Sequence, residues 1–224
     1  AVIALVRLYE ATGQRTCLDA ASAALEFIVH GQVEGREMDR LPSDAGLLEA
    51  MDALYTFTRN QSLVEHAQRL ALAILAKQAI PSSAVATAET GDMDSAAART
   101  LILLAERSSS TMVPDLLGSM EGNPSATLAA ERTRSLLAAA RLLRDAGKTT
   151  ASASILANLR PTVMFQLAAQ LDRPSTMYLE GADAYIGGFR DHVLAYGLAL
   201  HCQAVQLLGL LDAAEMLARA PAGA

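Results

Sequence analysis

The sequence predicts an all-α protein built from paired helices, and three observations carry that prediction. Apolar residues make up 52% of the 224 residues and charged residues 19%, which is enough to bury a sizeable core. Aromatic residues make up only 4%, whereas the helix formers Ala and Leu are the most frequent residue types. The 3.6-residue apolar periodicity of helices recurs along the chain. The composition is even from end to end, so we expect one domain over residues 1–224.

An internal repeat predicts how the helices pair. Residues 8–13 match residues 54–59 at an offset of about 46 residues, and a third copy ends at Gly147. Such a period lies in the range of stacked helical hairpins. At each copy a Gly or Asn ends one helix and a Thr or Ser opens the next, which is the usual capping chemistry of a short turn. We therefore expect about five helical hairpins.

The apolar periodicity places the helices of each pair in order along the chain. The predicted first helices span residues 1–12, 44–58, 94–107, 125–146 and 191–208. The predicted second helices span residues 16–30, 62–78, 111–120, 149–170 and 210–220. Pro161 should break or kink the helix 149–170, because proline lacks the backbone N–H. The long connections 31–43, 79–93 and 171–190 should gather at one end, where sites are usually built.

Two architectures fit this series of hairpins: an open solenoid, and a closed α/α toroid whose first helices form an inner ring. The predicted helix 191–208 is apolar nearly all round, which is typical of a helix covered on both sides. Three predicted helices carry a polar stripe: His192, Tyr196, Gln203 and Gln206; Glu49, Asp52, Thr56 and Arg59; and Arg134, Arg141 and Asp145. A toroid would aim these stripes at its central cavity, and the alternative is that they face water.

Residues 5–13, followed by residues 18–21, resemble the hairpin units of the six-hairpin glycosidase superfamily. The members of that superfamily are α/α toroids and include sugar epimerases and glycoside hydrolases. The resemblance covers the first 78 residues, and such units recur in toroids of different activities. It therefore implies the toroid fold more than a particular chemistry.

A second segment resembles the repeat of prenyltransferases and squalene-type terpene cyclases, which are also α/α toroids. The similar residues are 187–189, Tyr196, 198–200 and 207–209. Residues 92–97 are similar to the acidic Asp-x-Asp-Asp motif of the class II cyclases, with Ser95 in place of the last Asp. Both resemblances imply a toroid, but the aromatic residues that line cyclase cavities are scarce in this chain.

Residues 187–192 form the densest chemical cluster of the sequence. Asp191 would orient or charge His192, which would act as an acid or base near neutral pH. Asp94 precedes an earlier helix, and paired carboxylates beside a cavity are what glycoside hydrolysis requires. We expect Asp94, Asp191 and His192 to be catalytic. The structural alternative is that Asp191 caps a helix and that Arg190 pairs with a neighbouring acid.

The hairpin register places further polar residues at the same end of the fold. We expect Asp44, Asp92, Glu180, Arg190 and Tyr196 to bind the ligand there. Successive pairs stack in the same sense, so the amino ends of the first helices should share one end. For each Asp the alternative role is helix capping.

These patterns predict a toroid, or a fragment of one, that handles a carbohydrate or similar small polar ligand at its long-loop end. Its chemistry would be that of a glycosidase or epimerase. The first alternative is a non-catalytic helical-repeat scaffold for protein interaction. The second is a terpene cyclase-like toroid, which needs an apolar cavity.

Charge and hydropathy exclude some partners. The net charge of −6 without a basic run argues against nucleic acid, and no apolar stretch has the roughly 18 to 20 residues of a membrane span. The sequence indicates neither a metal site nor a cofactor. The apolar helical pattern already runs at Val2 and Ile3, so we expect an N-terminally truncated chain that self-associates or binds a missing segment. The compartment stays open.

Overall fold

The computed structural model describes residues 1–32, 45–78, 125–191 and 198–218. Within these ranges 81% of the residues are helical and none lies in a β-strand, which confirms the predicted all-α class. The helices are α1 (Val2–Thr12), α2 (Arg15–Gln32), α3 (Ala45–Thr58), α4 (Gln61–Ala76), α5 (Ala126–Asp145), α6 (Thr149–Ala168), α7 (Arg173–Thr176) and α8 (Leu200–Ala218). The predicted third pair, 94–107 with 111–120, lies outside the described residues.

The chain contacts define two compact units. The first consists of Ala1–Leu75 with Ser135–Leu156, and the second of Ala76–Arg134 with Ala157–Ala224. The helices α5 and α6 contribute residues to both units. The interpretation of residues 1–224 as one domain stays a prediction.

In the first unit, α1 and α2 form the predicted hairpin. Gly13 ends α1 in the left-handed conformation with φ of 70°, and its N–H donates to the Tyr9 carbonyl at 2.8 Å. Glycine adopts this conformation at little cost because it has no Cβ. Both α1 and α2 also contact α3. The Tyr9 ring meets the Phe57 ring edge-on with centroids 5.2 Å apart, so the carboxyl ends of α1 and α3 are neighbours, as a repeated hairpin requires.

The turns of the second and fourth predicted pairs follow the same chemistry. Arg59 has φ of 51° after α3, and the Asn60 side chain then accepts the N–H of Ser62 at 3.0 Å. Gly147 has φ of 80° between α5 and α6, where the Lys148 N–H donates to the Leu143 carbonyl at 2.8 Å. A left-handed residue therefore ends both helices, as predicted for Gly147, but at the turn of the second pair Arg59 takes this conformation and Asn60 caps α4 instead.

The predicted fifth pair is wrong. The structure has one helix, α8, that begins at Leu200 and runs unbroken through Gly209 to Ala218. A Cβ on Gly209 would lie 3.2 Å from both the Cβ and the carbonyl oxygen of Ala130, and 3.2 Å from Oε1 of Gln166. The glycine therefore allows α8 to approach α5 and α6 closely and does not make a turn.

Pro161 does not break the helix, because α6 is continuous from Thr149 to Ala168; a kink at this position stays a prediction. Gln78 is 2% exposed, and its carboxamide N–H groups lie within hydrogen-bond distance of two acceptors beside the proline. One is the carbonyl of Asn158 at 3.1 Å and the other is the hydroxyl of Thr162 at 2.7 Å. Gln78 thus contacts the turn that contains the proline, but neither acceptor is the Ala157 carbonyl that a backbone N–H at position 161 would have bonded.

We predict that Gly209→Ala destabilises the second unit although alanine is the better helix former. The added methyl group must displace α5, so we expect a net loss of about 1–2 kcal/mol. Gly31→Ala is the matched control, since a Cβ there meets nothing within 4 Å, and it should stabilise by up to about 1 kcal/mol. Urea unfolding followed by circular dichroism measures both changes. Equal stabilisation by the two substitutions would contradict close packing at Gly209.

Candidate functional site

Among the predicted site residues, the structure describes Glu180, Arg190 and Asp191. The others, Asp44, Asp92, Asp94, His192 and Tyr196, lie outside the described residues. Their convergence at one end of the fold, and catalysis by Asp94, Asp191 and His192, therefore stay predictions.

Glu180 is exposed in the connection that follows α6. This connection was predicted as a loop, and it contains α7 and a 3-10 turn at Ala182–Ala184. Asp172 caps α7 by accepting the Ser175 N–H at 2.8 Å, while the Ser175 hydroxyl accepts the Asp172 N–H at 2.9 Å. Hydrogen bonds from the side chain and backbone of Ser175 hold the pKa of Asp172 below its ordinary value. The loop that carries Glu180 therefore starts from a defined capping box.

Residues 187–191, named here the strap, return from this connection to the helices. The Leu171 N–H donates to the Gly188 carbonyl at 2.7 Å, and the Gly187 N–H donates to the Leu171 carbonyl at 2.8 Å. Gln203 of α8 then holds Phe189 at both backbone groups, with distances of 2.7 Å for the N–H and 2.6 Å for the carbonyl. Two residues of a predicted polar stripe thus bind backbone, since Gln206 also donates to the Arg190 carbonyl at 3.0 Å.

Arg190 and Asp191 hydrogen-bond the strap to two helix ends in the second unit. Arg190 Nη2 donates to the carbonyl of Ala168, the last residue of α6, at 3.3 Å. The Asp191 carbonyl accepts the N–H of Ala126, the first residue of α5, at 2.6 Å. Its carboxylate accepts the hydroxyl of Ser125 at 3.1 Å. A cation at a carboxyl end and a carboxylate at an amino end are both favoured by the helix dipole.

Asp191 therefore takes part in capping α5, which is not the helix that the sequence predicts. The sequence suggested that Asp191 caps a helix starting at residue 191, but α8 starts at Leu200. Ser125 accepts the N–H of Leu128 at 3.1 Å and donates its own hydroxyl to Asp191. Asp191 thus supports the cap of α5, which lies far away in the sequence.

The first unit contains an open groove between α2 and α4 with a volume of about 620 Å³. Its lining combines a carboxylate, two imidazoles and a hydroxyl with apolar side chains: Ala23, Glu26, Phe27, Val29, His30, Ser62, Leu63 and His66. The sequence alone does not predict this groove. The available signal was spacing, because Glu26 and His30, like Ser62 and His66, stand four residues apart on one helix face.

The groove does not qualify as a metal centre. Across the described ranges, no three His, Cys, Asp or Glu side chains gather closely enough to hold a metal ion. Nor is any helix in those ranges long and apolar enough to cross a membrane.

Two residues of the predicted polar stripes meet as an ion pair in the first unit. Arg141 Nε of α5 lies 3.1 Å from Asp52 Oδ2 of α3, and the carboxylate side chain is 18% exposed. Burial raises the pKa of Asp52 above its ordinary value, and the attraction of Arg141 offsets this only in part. In the second unit Arg134 Nε similarly lies 3.2 Å from Asp212 Oδ2. Part of each stripe therefore holds helices together.

The outward side of α8 is an apolar surface that the sequence pattern does not predict. Leu200 is 85% exposed, and three further leucines are between 46% and 55% exposed. We define the apolar face of α8 as the exposed residues Leu200, Ala204, Leu207, Leu208, Leu211 and Ala214. The apolar composition of this region suggested a helix covered on both sides, whereas the structure covers only one side.

No protein-family model, curated protein or solved structure matches this chain significantly. The described residues therefore define a class, an all-α protein. The resemblances to glycosidase-like and cyclase-like toroids stay predictions.

We predict that Asp52→Asn changes stability in a pH-dependent way. Because the folded pKa of Asp52 lies above the ordinary value of 3.8, the wild type loses free energy of unfolding relative to the variant as pH rises through that pKa. The difference between the two proteins should be flat below about pH 3 and change as pH rises above about 4. Urea unfolding at a series of pH values measures it.

Arg141→Gln serves as the companion variant for the same ion pair. It removes the attraction that lowers the Asp52 pKa, so we expect a loss of about 1–3 kcal/mol at pH 7 and a smaller loss at pH 3. A wild type that gains stability relative to Asp52→Asn as pH rises would contradict the raised pKa.

Proposed function

We propose that this protein is a helical-hairpin scaffold that binds a helix of another polypeptide through the apolar face of α8. The single observation that supports this function is the row of exposed leucines on a helix whose other side is packed. A contiguous exposed apolar patch of this kind marks an interaction site in soluble proteins more often than isolated leucines do.

The spacing of the apolar face fits another helix. Residues 200, 204, 207, 211 and 214 follow one another at alternating steps of four and three, which is the seam of a coiled coil. Side chains at these steps point the same way along a helix, and the 19 residues of α8 extend about 28 Å. The face is therefore a straight apolar row with the period that a partner helix needs.

The opposite side of α8 is fixed within the second unit. Val205, Gln206, Ala213 and Met216 are buried there, and Gly209 contacts α5 closely. Gln203 and Gln206 bind the strap. Because these contacts already fix α8, its apolar face needs no further ordering when a partner binds. This reduces the entropic cost of binding.

A synthetic amphipathic helix with a Leu and Ala seam at the same spacing is the probe that tests this function. We expect fluorescence anisotropy to show micromolar binding that Leu207→Glu weakens at least about tenfold, since a charge in an apolar seam loses its hydration. Leu167→Glu is the matched control because Leu167 is similarly exposed on α6. Absent binding, or equal loss in both variants, would contradict the proposal.

The groove of the first unit favours a second candidate function, the binding of a neutral carbohydrate. Glu26, His30 and His66 line it and offer hydrogen-bond donors and acceptors. Phe27, with 82% of its surface exposed, offers an apolar face for a sugar ring. The lining of this groove supports the binding of a carbohydrate, as the sequence predicts, but it does not point to a particular reaction.

We expect neutral oligosaccharides to bind in the groove more tightly than uronic acids, because the Glu26 carboxylate repels an anion. Binding measured by NMR line broadening should fall at least about fivefold in Phe27→Ala, which removes the apolar contact. Phe57→Ala is the control, an aromatic deletion in the same unit but outside the groove lining. A panel of neutral sugars that leaves the spectrum unchanged would exclude this second candidate.

A further inference from the structure

We infer that the helix bound by the apolar face of α8 is α8 of a second copy of this chain, packed antiparallel beside Gly209. This inference rests on the proposed function, because it names the partner of the same surface. Two properties point to a second copy: the symmetric spacing of the face, and the placement of His201 and Glu215 beside it. The area of the face bears on the strength of the pairing.

Four residues of the apolar face, Ala204, Leu207, Leu211 and Ala214, have the same spacing read from either end. Leu207 and Leu211 lie two residues on either side of Gly209, and Ala204 and Ala214 lie five residues on either side. Reversing a second copy of α8 about this point therefore places Leu207 against Leu211 and Ala204 against Ala214. These are the layers of an antiparallel helix pair. Gly209 itself is turned towards Ala130, so the two-fold axis passes beside it on the outer side.

The residues that flank the seam repeat this symmetry. His201, Leu208 and Glu215 are all exposed and stand seven residues apart on one side of the row. In the antiparallel pair the His201 imidazole faces the Glu215 carboxylate of the second copy, and Leu208 faces Leu208. A parallel pair would instead place Glu215 beside Leu210 of the second copy, which offers no opposite charge. The antiparallel arrangement keeps an apolar centre with a polar rim.

The area of the face sets the expected strength. The exposed parts of its four leucines amount to roughly 400 Å² in one copy, which is in the range of patches that mark interaction sites. Two copies would bury a total of about 800–1,000 Å², below the roughly 1,200 Å² at which stable dimers begin. We therefore expect a weak dimer that forms in the micromolar range.

Sedimentation velocity of the full chain from about 1 to 200 µM tests for this dimer. We expect the weight-average mass to rise with concentration in the wild type, and Leu207→Glu to raise the dissociation constant at least about tenfold. Circular dichroism of the variant should be unchanged, because Leu207 is exposed. Leu167→Glu and Leu8→Glu are the controls, since both residues are exposed on other helices, and they should leave the dimer intact.

A pair of double variants tests the antiparallel orientation. In Ala204→Lys with Ala214→Glu, the reversed second copy places each lysine against a glutamate. In Ala204→Lys with Ala214→Lys, it places lysine against lysine. We expect the Lys/Glu protein to dimerise at least about tenfold more tightly than the Lys/Lys protein, and the difference should shrink at high salt. A parallel pair would give like charges in both proteins.

The outcomes separate this inference from the proposed function. A wild type that stays monomeric at 200 µM but binds the synthetic helix overturns the second copy and leaves the scaffold function standing. A monomer that binds no helix overturns both. Association that Leu207→Glu leaves intact, or that Leu8→Glu abolishes, also overturns the inference. Loss in Leu207→Glu alone, with the Lys/Glu protein tighter than the Lys/Lys protein, supports it.

Discussion

The close approach of α8 to α5 at Gly209 is the constraint on which the second unit depends. With no side chain at this position, the backbone of α8 comes near enough to Ala130 that even a methyl group would crowd it. That approach brings Gln203 and Gln206 to the strap. The strap in turn reaches the carboxyl end of α6 through Arg190 and the amino end of α5 through Asp191. The absence of a Cβ at Gly209 thus allows a set of hydrogen bonds that connects α5, α6 and α8.

Buried amides and hydroxyls support this packing in a unit that has few aromatic side chains. Gln166 is fully buried and donates to the Thr133 hydroxyl at 2.6 Å, and Gln78 binds on either side of Pro161. Within the described residues, the carboxamide oxygens of Gln78, Gln166 and Gln206 have no hydrogen-bond partner. An unpaired buried acceptor costs about 1–3 kcal/mol. The N–H groups of these three amides do have partners, and those hydrogen bonds connect separate segments of the unit. The exposed apolar side chains of α8 lie on its outer face.

The candidate binding surfaces of the two units differ in their chemistry. In the first, an ion pair with a raised Asp52 pKa joins α3 to α5, and a groove of mixed chemistry lies between α2 and α4. In the second, the residues predicted for chemistry, Arg190 and Asp191, hydrogen-bond to helix ends. The surface with the clearest geometry there is an apolar row that fits a helix. This contrast is why the scaffold function has more structural support than a carbohydrate function.

The sequence by itself determined the helical class, the hairpin period and the short turns at Gly13 and Gly147. These depend on local chemistry: helix propensity, apolar periodicity and the left-handed backbone that glycine permits. Polar stripes were also visible, because residues on one helix face recur at fixed spacing. Their partners were not visible, since the Arg141 that meets Asp52 lies on a helix distant in the sequence.

Only the tertiary structure decided what Gly209, Pro161 and Asp191 do. A glycine suits either a turn or a close helix contact, and Ala130 on another helix selected the second. Pro161 lies inside α6 without a break, and Gln78 donates to the Asn158 carbonyl and the Thr162 hydroxyl beside it. Asp191 caps whichever helix end lies near it, and that end belongs to α5. Each residue has more than one local role, so contacts between residues far apart in the sequence selected the outcome.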